Sequence, residues 1–502
     1  MLGRRAGRAF GLAAALAASA FWPSGARAQG TPAERCAGPA PPPPEAPYLC
    51  RNDFAIDLHQ GPVLAPTRVI GLAGAYAALG DGADGLGQNA AASVVRPPYS
   101  TNWFDYDITL GASLTGAFGR TDFDNSGDRN LAASTFFYTL GGLLQFGRFG
   151  VGLLGDFQRY EINGSARVTV GRLHATAGYS LLDNQLQVAG GLRGVTTLVT
   201  LPNPNGGFLP TNALTIVGFA PQVGALFSPN YLPWRLGATF RAPVSAETGG
   251  GTVEADGVRR AASLAVPREV HWPWEFELGA ALSAGPRPLN PRWIDPSEQE
   301  RRLREPLEAR RAERARALER ELGALPDAPS RYALRLARAR EEAALREGEE
   351  RRYRADVEQL AQERRARYLN WPRPRVLVVA ELLITGDTEG GIGLRSFLDQ
   401  RDVPSGRRVT TQPRLGLEGE PVVGLLITRV GTYLEPTRYE VPPGSSGLVA
   451  GARQHFTAGV EVKLFPWDVF GTFPQGSTWR ITGVADIAPR YENIGLSVGL
   501  WH

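Results

Sequence analysis

The strongest constraint in this chain is a hydropathy period of two, held over segments longer than ordinary strands. From residue 102 onward, Phe104, Tyr106, Ile108, Leu110, Ala112 and Leu114 alternate with Trp103, Asp105, Asp107, Thr109, Gly111, Ser113 and Thr115. Successive side chains of a strand point to opposite faces, so such a segment has one apolar and one polar side. The pattern returns at Trp234, Leu236, Ala238 and Phe240 against Arg235, Gly237, Thr239 and Arg241. It returns again at Trp272, Trp274, Phe276 and Leu278 against His271, Glu275 and Glu277, and at Phe456, Ala458, Val460, Val462 and Leu464 against Thr457, Gly459, Glu461 and Lys463.

Strands of a soluble sandwich run to about five or six residues. In lipid every backbone polar group has to pair within the protein, so a long amphipathic sheet must close on itself. The expected fold is therefore all-β, a transmembrane antiparallel β-barrel of about 14 strands, an even number as such barrels require. The spans read as 102–119, 131–147, 149–161, 165–181, 185–201, 211–228, 232–246, 270–284, 374–386, 407–418, 421–433, 452–465, 478–487 and 490–502. Long polar connections (Asp122 to Asn130, Pro202 to Thr211, Glu247 to Glu269, Thr388 to Val403) alternate with short ones at Gly147-Arg148, Leu182-Asp183-Asn184 and Pro229-Asn230-Tyr231. Tyr231, Trp234, Trp467, Trp479 and Trp501 fall at the short-turn, periplasmic end, where an interfacial aromatic girdle belongs.

Residues 297–369 break the period. They are rich in Arg, Glu, Ala and Leu at helical spacing, with Leu303, Leu307, Ala315, Leu318, Leu322 and Leu325 on one stripe and Tyr353, Val357 and Leu360 on another. Pro326-Asp327-Ala328-Pro329-Ser330 interrupts the run, with Ser330 placed to cap the second helix. The expectation is an α-helical hairpin inserted over 285–373, leaving the barrel on the periplasmic side by strand parity. At about 1.5 Å per residue its second arm reaches roughly 60 Å. It reads either as a solvated, ion-paired insertion or as a docking arm for a periplasmic or cell-wall partner.

The N-terminus reads as a signal peptide over 1–28. Arg4, Arg5 and Arg8 precede an apolar stretch from Phe10 to Trp22, and Ala26-Arg27-Ala28 is a small-residue cleavage pattern. A Pro-rich arm follows over 29–65, with Cys36 and Cys50 as the only cysteines. In an exported chain such a pair is expected to close as a disulfide. The formal charge of +4 says little about partners, because arginine is interleaved with acidic residues and lysine occurs once, at Lys463. A nucleic-acid surface would need basic residues clustered on one face, so none is expected.

Enzyme motifs fail on context. Gly495-Leu496-Ser497-Val498-Gly499 has the nucleophile-elbow spacing but lies within the last strand rather than at a strand–turn–helix. Gly80-Asp81-Gly82-Ala83-Asp84-Gly85 has a dinucleotide-like spacing without a parallel βαβ unit. The five histidines are scattered without a zinc-ligand spacing. The reading is not an enzyme, with no cofactor and no metal.

Arg68-Val69-Ile70-Gly71-Leu72-Ala73-Gly74-Ala75-Tyr76-Ala77-Ala78-Leu79-Gly80-Asp81, leading to Gly87-Gln88-Asn89-Ala90-Ala91, resembles the N-terminal hatch of the outer-membrane long-chain fatty-acid and hydrocarbon transporter family (FadL-like). That family's Asn-Pro-Ala is here Asn89-Ala90-Ala91. Trp234 to Arg241 and Arg429-Val430-Gly431-Thr432-Tyr433 echo it further, and the likeness spans roughly 66–502 apart from the helical insertion. The resemblance implies a hatch over 66–101, barrel strands over 102–284 and 374–502, and passive uptake of hydrophobic small molecules, with outer-membrane lipids as surroundings. The hatch or gate residues it implies are Gly71, Gly74, Ala75, Tyr76, Ala77, Asp81, Asp84 and Asn89. Strand parity places Arg193, Arg235, Arg241, Glu275, Glu277, Glu381, Arg429, Glu461 and Lys463 in the lumen, to pair with one another or to hold a carboxylate head group. The alternative function is a non-transporting barrel scaffold whose hairpin binds an envelope or protein-export partner.

Overall fold

In the computed structural model fourteen antiparallel strands form one closed barrel. The structure describes residues 47–96, 100, 102–127, 136–162, 166–201, 211–247, 253–255, 258–261, 264–369, 376–422, 424–440, 451–464 and 478–501. The strands are β1 (Phe104–Thr115), β2 (Phe136–Phe146), β3 (Phe149–Ile162), β4 (Ala166–Leu181), β5 (Leu186–Leu201), β6 (Thr211–Phe227) and β7 (Trp234–Arg241). They continue as β8 (Glu275–Ala284), β9 (Val376–Thr385), β10 (Thr410–Val422), β11 (Leu426–Glu435), β12 (Arg453–Lys463), β13 (Thr478–Ala488) and β14 (Tyr491–Trp501). The ring closes where β1 pairs with β14, from Asp107 opposite Trp501 to Thr115 opposite Asn493. Each expected span holds one barrel strand. Burial alternates as the period demands: in β12 Arg453, His455, Thr457 and Glu461 are buried while Phe456 and Val460 face outward.

One end carries the short turns, such as Gly147 between β2 and β3, and the helical hairpin between β8 and β9. Trp103 packs edge-on to Phe146 at 5.9 Å there, and Trp234 lies 5.7 Å from Phe227. The opposite end carries the longer loops. Of the expected aromatic girdle, Trp467 lies outside the described residues, as do the signal peptide and Cys36.

Two strands are shorter than the sequence suggested. β7 stops at Arg241 and β8 begins at Glu275, so the expected 232–246 and 270–284 lose their loop-end thirds. Pro243 and Pro273 sit at the two breaks. Proline has no N–H for the ladder, and here a facing pair ends it at one level. Beyond the break the chain turns inward. Val244–Glu247 pairs with Glu269–Trp272, and Gly218 of β6 lies against Val244 and Ala246. The outward face expected for Trp272 is thereby corrected: its ring is 6% exposed, inside the mouth of the barrel.

That inward sheet has two further strands. Ala55–Asp57 pairs in parallel with Glu269–Trp272 on one side and with Gly391–Gly393 on the other. From there the N-terminal segment runs down the lumen. Gln60 donates to Tyr160 of β3, the Gly61 carbonyl accepts from Gln412 of β10, and Val63 N–H donates to Tyr433 of β11. A short helix, Thr67–Gly71, and 3-10 turns at Ala83–Gly85 and Ala90–Val94 fill the middle. The segment leaves at the turn end, where Arg96 binds the Gly147 carbonyl and Asp105.

The hairpin has helices Pro296–Gly323 and Ala328–Leu369. Asp327, rather than Ser330, caps the second: its carboxylate accepts from Ser330 N–H at 2.7 Å and from the Ser330 hydroxyl at 2.9 Å. The short acceptor reaches the free N–H groups of the first turn. Only Leu322 and Tyr353 of the two expected stripes are buried, at 4% and 8% exposure. Between the helices, charge does what apolar seams do elsewhere: Arg314 binds Glu342 and Glu349, each at 2.8 Å, and Arg311 binds Glu349 at 2.8 Å.

Candidate functional site

The hatch is held by backbone as much as by side chains. Gly74 turns with φ +81°, where a side chain would meet Val63 and Arg414; only glycine adopts this conformation freely. Ala75 and Ala77 are buried beside it, and Gly71 lies against Arg429 and Gly459. Tyr76 is fully buried. Its hydroxyl donates to Asp81 at 2.6 Å, and the Arg68 guanidinium lies 5.4 Å from its ring and 3.2 Å from Asp81. Asp84 pairs with Arg480 of β13 at 3.1 Å. Asn89 caps the last turn by accepting from Ala91 N–H at 3.0 Å. Its amide donates to the Ala77 carbonyl at 2.8 Å and to the Ala225 carbonyl of β6 at 3.0 Å, which ties the hatch to itself and to the wall.

The wall answers with charges. Glu381 accepts from Tyr76 N–H at 2.9 Å and Ala77 N–H at 2.7 Å while pairing with Arg414 at 2.8 Å. Arg235 donates to the Leu79 carbonyl and to Asn290. Arg241 donates to the Gly87 and Gln88 carbonyls, each at 2.6 Å, and pairs with Glu275 and Glu277. Arg193 pairs with Glu275 at 3.0 Å under the Trp272 ring. Arg429 bridges Glu418 and Glu461 at 2.8 Å each. Lys463, at the turn-end rim, lies 3.9 Å from Glu420. Of the charges read from parity, Arg193, Arg241, Glu275, Glu277, Glu381, Arg429, Glu461 and Lys463 stand in ion pairs, while Arg235 bonds to carbonyls and Asn290.

Parity reading missed several partners. Arg414 and Glu418 sit two and six residues from the likewise buried Gln412 on β10, so the same alternation would have found them. Arg480 and Asp107 were equally accessible to it. The loop-end cluster had no such signal as a cluster. There His455 lies between Asp486 at 2.9 Å and Glu435 at 2.6 Å, stacked on Tyr433, with Arg453 bound to Glu435 and Asp122.

Between the inward sheet at the loop end and the hatch lies a cavity of about 100 Å³. Its lining mixes charged side chains, Asp156, Arg172, Arg241 and Glu275, with apolar ones, Leu58, Val63, Leu154 and Leu383, in about equal measure. No group of three or more His, Cys, Asp or Glu suited to a metal ion occurs among the described residues. Ser497, of the elbow-like string, is buried in β14 and hydrogen-bonded to Thr67 of the hatch, a structural tie.

Outside the wall the surface is apolar. Where the hatch touches β6, β7 and β8, the inward residues are Gly224, Gly237 and Gly279, and a Cβ on any of them would strike the hatch at Asn89–Ala91, Ala77 or Ala78. On the outer side of the same strands, Ala225, Ala238 and Ala280 line shallow apolar grooves edged by Tyr179, Phe240 and Leu382. The wall here is little more than backbone.

No family model and no curated protein matches this chain. Among solved structures it is similar to a Pseudomonas aeruginosa FadL homologue (10% identity, 90% of this chain and 99% of that one, TM-score 0.44). It is also similar to the Ralstonia pickettii toluene transporter TbuX (10%, 87% and 97%, 0.40) and the Pseudomonas putida toluene transporter TodX (11%, 90% and 99%, 0.40). The fold itself rests on the strand ladders: a closed transmembrane-type barrel of fourteen strands with a hatch inside it.

Proposed function

We propose that this protein is an outer-membrane channel for the passive uptake of hydrophobic small molecules, with the hatch as its gate. One observation carries the reading: hatch backbone presses on a side-chain-free patch of wall whose outer face is an apolar groove. A shift of the Ala77–Leu79 and Asn89–Ala91 turns would uncover Gly224, Gly237 and Gly279, where the wall is thinnest and its outer face is apolar; a local parting of the ladder there would let an apolar solute pass from the lumen to lipid, leaving water. The resemblance of residues 68–91 to a transporter hatch supports it. So does the apolar exterior, which suits lipid, and an inward-facing charge set that suits a wet lumen. On this reading residues 1–28 direct export, Cys36 and Cys50 pair, and the short-turn end with its helical arm faces the periplasm.

A second reading has one observation in its favour. The resting cavity, about 100 Å³, is far smaller than the roughly 300–1,000 Å³ of typical small-molecule sites, which fits a scaffold that does not transport. Uptake of a radiolabelled long-chain fatty acid and of toluene by a deletion strain, with and without the gene restored, separates the two. The channel reading expects several-fold faster entry of at least one solute on restoration. Equal rates for both, together with a partner that co-purifies only when residues 297–369 are present, would establish the scaffold instead.

A further inference from the structure

The sheet at the loop end has an unusual order. Gly391–Gly393 comes from one loop and the Val244–Glu247 and Glu269–Trp272 pair from another, and the two loops do not pair with each other in that sheet. Ala55–Asp57 lies between them and is parallel to both neighbours. Within that sheet, which covers the barrel mouth, the two loops are therefore joined through a three-residue strand of the N-terminal segment; beside it Ala265 N–H donates to the Gln400 side chain across them. The strand's hold is apolar and polar together: Phe54, Ile56 and Leu58 are buried in one cluster with Val270, Ile392 and Phe397. Arg438 donates to Asp57 at 2.8 Å with both side chains buried, and also donates to the Gly386 carbonyl at 2.9 Å. Backbone bonds from Leu49 to Gln400, Ala55 to Gly390, Arg268 to Phe54 and Leu58 to His271 complete it. Upstream of that strand the chain comes out into solvent: the Asp53 side chain is 76% exposed, and Pro47 is exposed.

We infer that Ala55–Asp57 is an outer lid in series with the hatch, and that the protein's N-terminal side lies outside the cell. One continuous stretch, residues 47–96, then closes the lumen twice: at the outer mouth through Asp57 and Arg438, and at mid-lumen through Asn89 and Glu381. The cavity of about 100 Å³ lies between the two barriers. This rests on the orientation proposed above, in which the short-turn end is periplasmic. Withdrawing Ala55–Asp57 removes the one strand that joins the two loops in that sheet and leaves them held by the Ala265–Gln400 bond and side-chain packing.

Lysine mapping tests the topology, since Lys463 is the chain's only lysine. Asp53→Lys adds a lysine to the lid segment and Leu345→Lys one to the exposed arm. A membrane-impermeant amine reagent on intact cells, read by peptide mass spectrometry, is expected to modify position 53 and to spare 345 and 463 until the outer membrane is permeabilised. Position 345 modified with 53 spared would overturn the orientation, and the proposal with it. All positions protected on intact cells would overturn the external N-terminal side alone. The lid is tested by conductance in planar bilayers. Barriers in series predict that Asn89→Ala alone stays almost closed, while Asn89→Ala with Asp57→Asn gives about ten-fold more open events. Arg438→Ala in place of Asp57→Asn serves as the second variant, and gel mobility of unheated against heated protein confirms folding. If folded double variants conduct no more than Asn89→Ala, the lid is overturned.

Discussion

The lumen and the helical arm are built from the same bond, arginine on carboxylate, placed in opposite surroundings. Arg429 is fully buried with Glu418 and Glu461, each 4% exposed. Arg314 on the arm binds two glutamates at the same 2.8 Å distance but is 31% exposed. Geometry alone does not separate them; water does. An exposed pair exchanges hydration for a contact of nearly equal worth and is screened by salt, whereas a buried pair has surrendered its hydration and has nothing to return to. The lumen network is thus obligatory once formed. The arm's network is a set of small, independent gains.

The sharpest test of that contrast is Arg429→Ala. It strands two buried carboxylates, and about 3–5 kcal/mol of stability is expected to go, read as the urea midpoint of the refolded protein in detergent. Replacing Arg429 with Met and both glutamates with Gln should recover most of the loss, since apolar and neutral substitutes of similar volume leave no charge unpaired. A triple variant as weak as the single would break the comparison.

Next in size is Asn89→Ala, which leaves the buried Ala77 carbonyl without this donor and removes the tie to Ala225 of the wall. A buried polar group left unpaired costs about 1–3 kcal/mol, here charged to the hatch rather than to the barrel. Amide exchange across residues 77–91 should quicken by at least ten-fold while β1–β14 exchange as before. Uniform acceleration would mean that hatch and wall unfold together.

Arg314→Ala is expected to cost under about 1 kcal/mol. It should lower the melting of the helical signal at 222 nm by a few degrees and leave the barrel transition where it was. The smallest effect comes with acid. The Glu349 carboxyl is held down to about 2 by hydrogen bonds from Arg314 and then Arg311. A depressed folded value means its contribution is present above the unfolded carboxylate range near 4.5 and lost as pH falls from there towards 2. Helical signal from the arm should therefore weaken over that window, more gently at high salt. Loss of barrel signal over the same window, ahead of the helices, would contradict the contrast.

What the sequence made legible follows the same division between periodic and non-periodic structure. The barrel was readable because its two faces meet two solvents, so every strand repeats one pattern. The inward charges came with it: once β8 is a strand, Glu275 and Glu277 face the lumen. Trp272 was misplaced because Pro273 ends that logic one residue away. The lid was beyond reach for a different reason. Ala55, Ile56 and Asp57 are all buried, so both faces of that strand meet protein and no alternation exists. Their partners lie more than 200 residues downstream. Asn89 was flagged through its motif, and its bond to Ala225 is tertiary information that a local pattern does not contain.

The path of residues 47–96 through the ring bears on how the molecule is made. A closed hoop with a cord already inside differs from a hoop that must be threaded afterwards. Here the cord fills the hole it would have to be drawn through, and Asp57, Arg68 and Asp84 would each have to pass narrow, charged ground without their partners. Closing the β1–β14 ladder last, around a chain already lying in place, needs no such passage. The Thr67–Ser497 contact sits on that closing seam. The stretch that shuts the finished barrel is thus positioned to act earlier as the mandrel on which its final seam is drawn together.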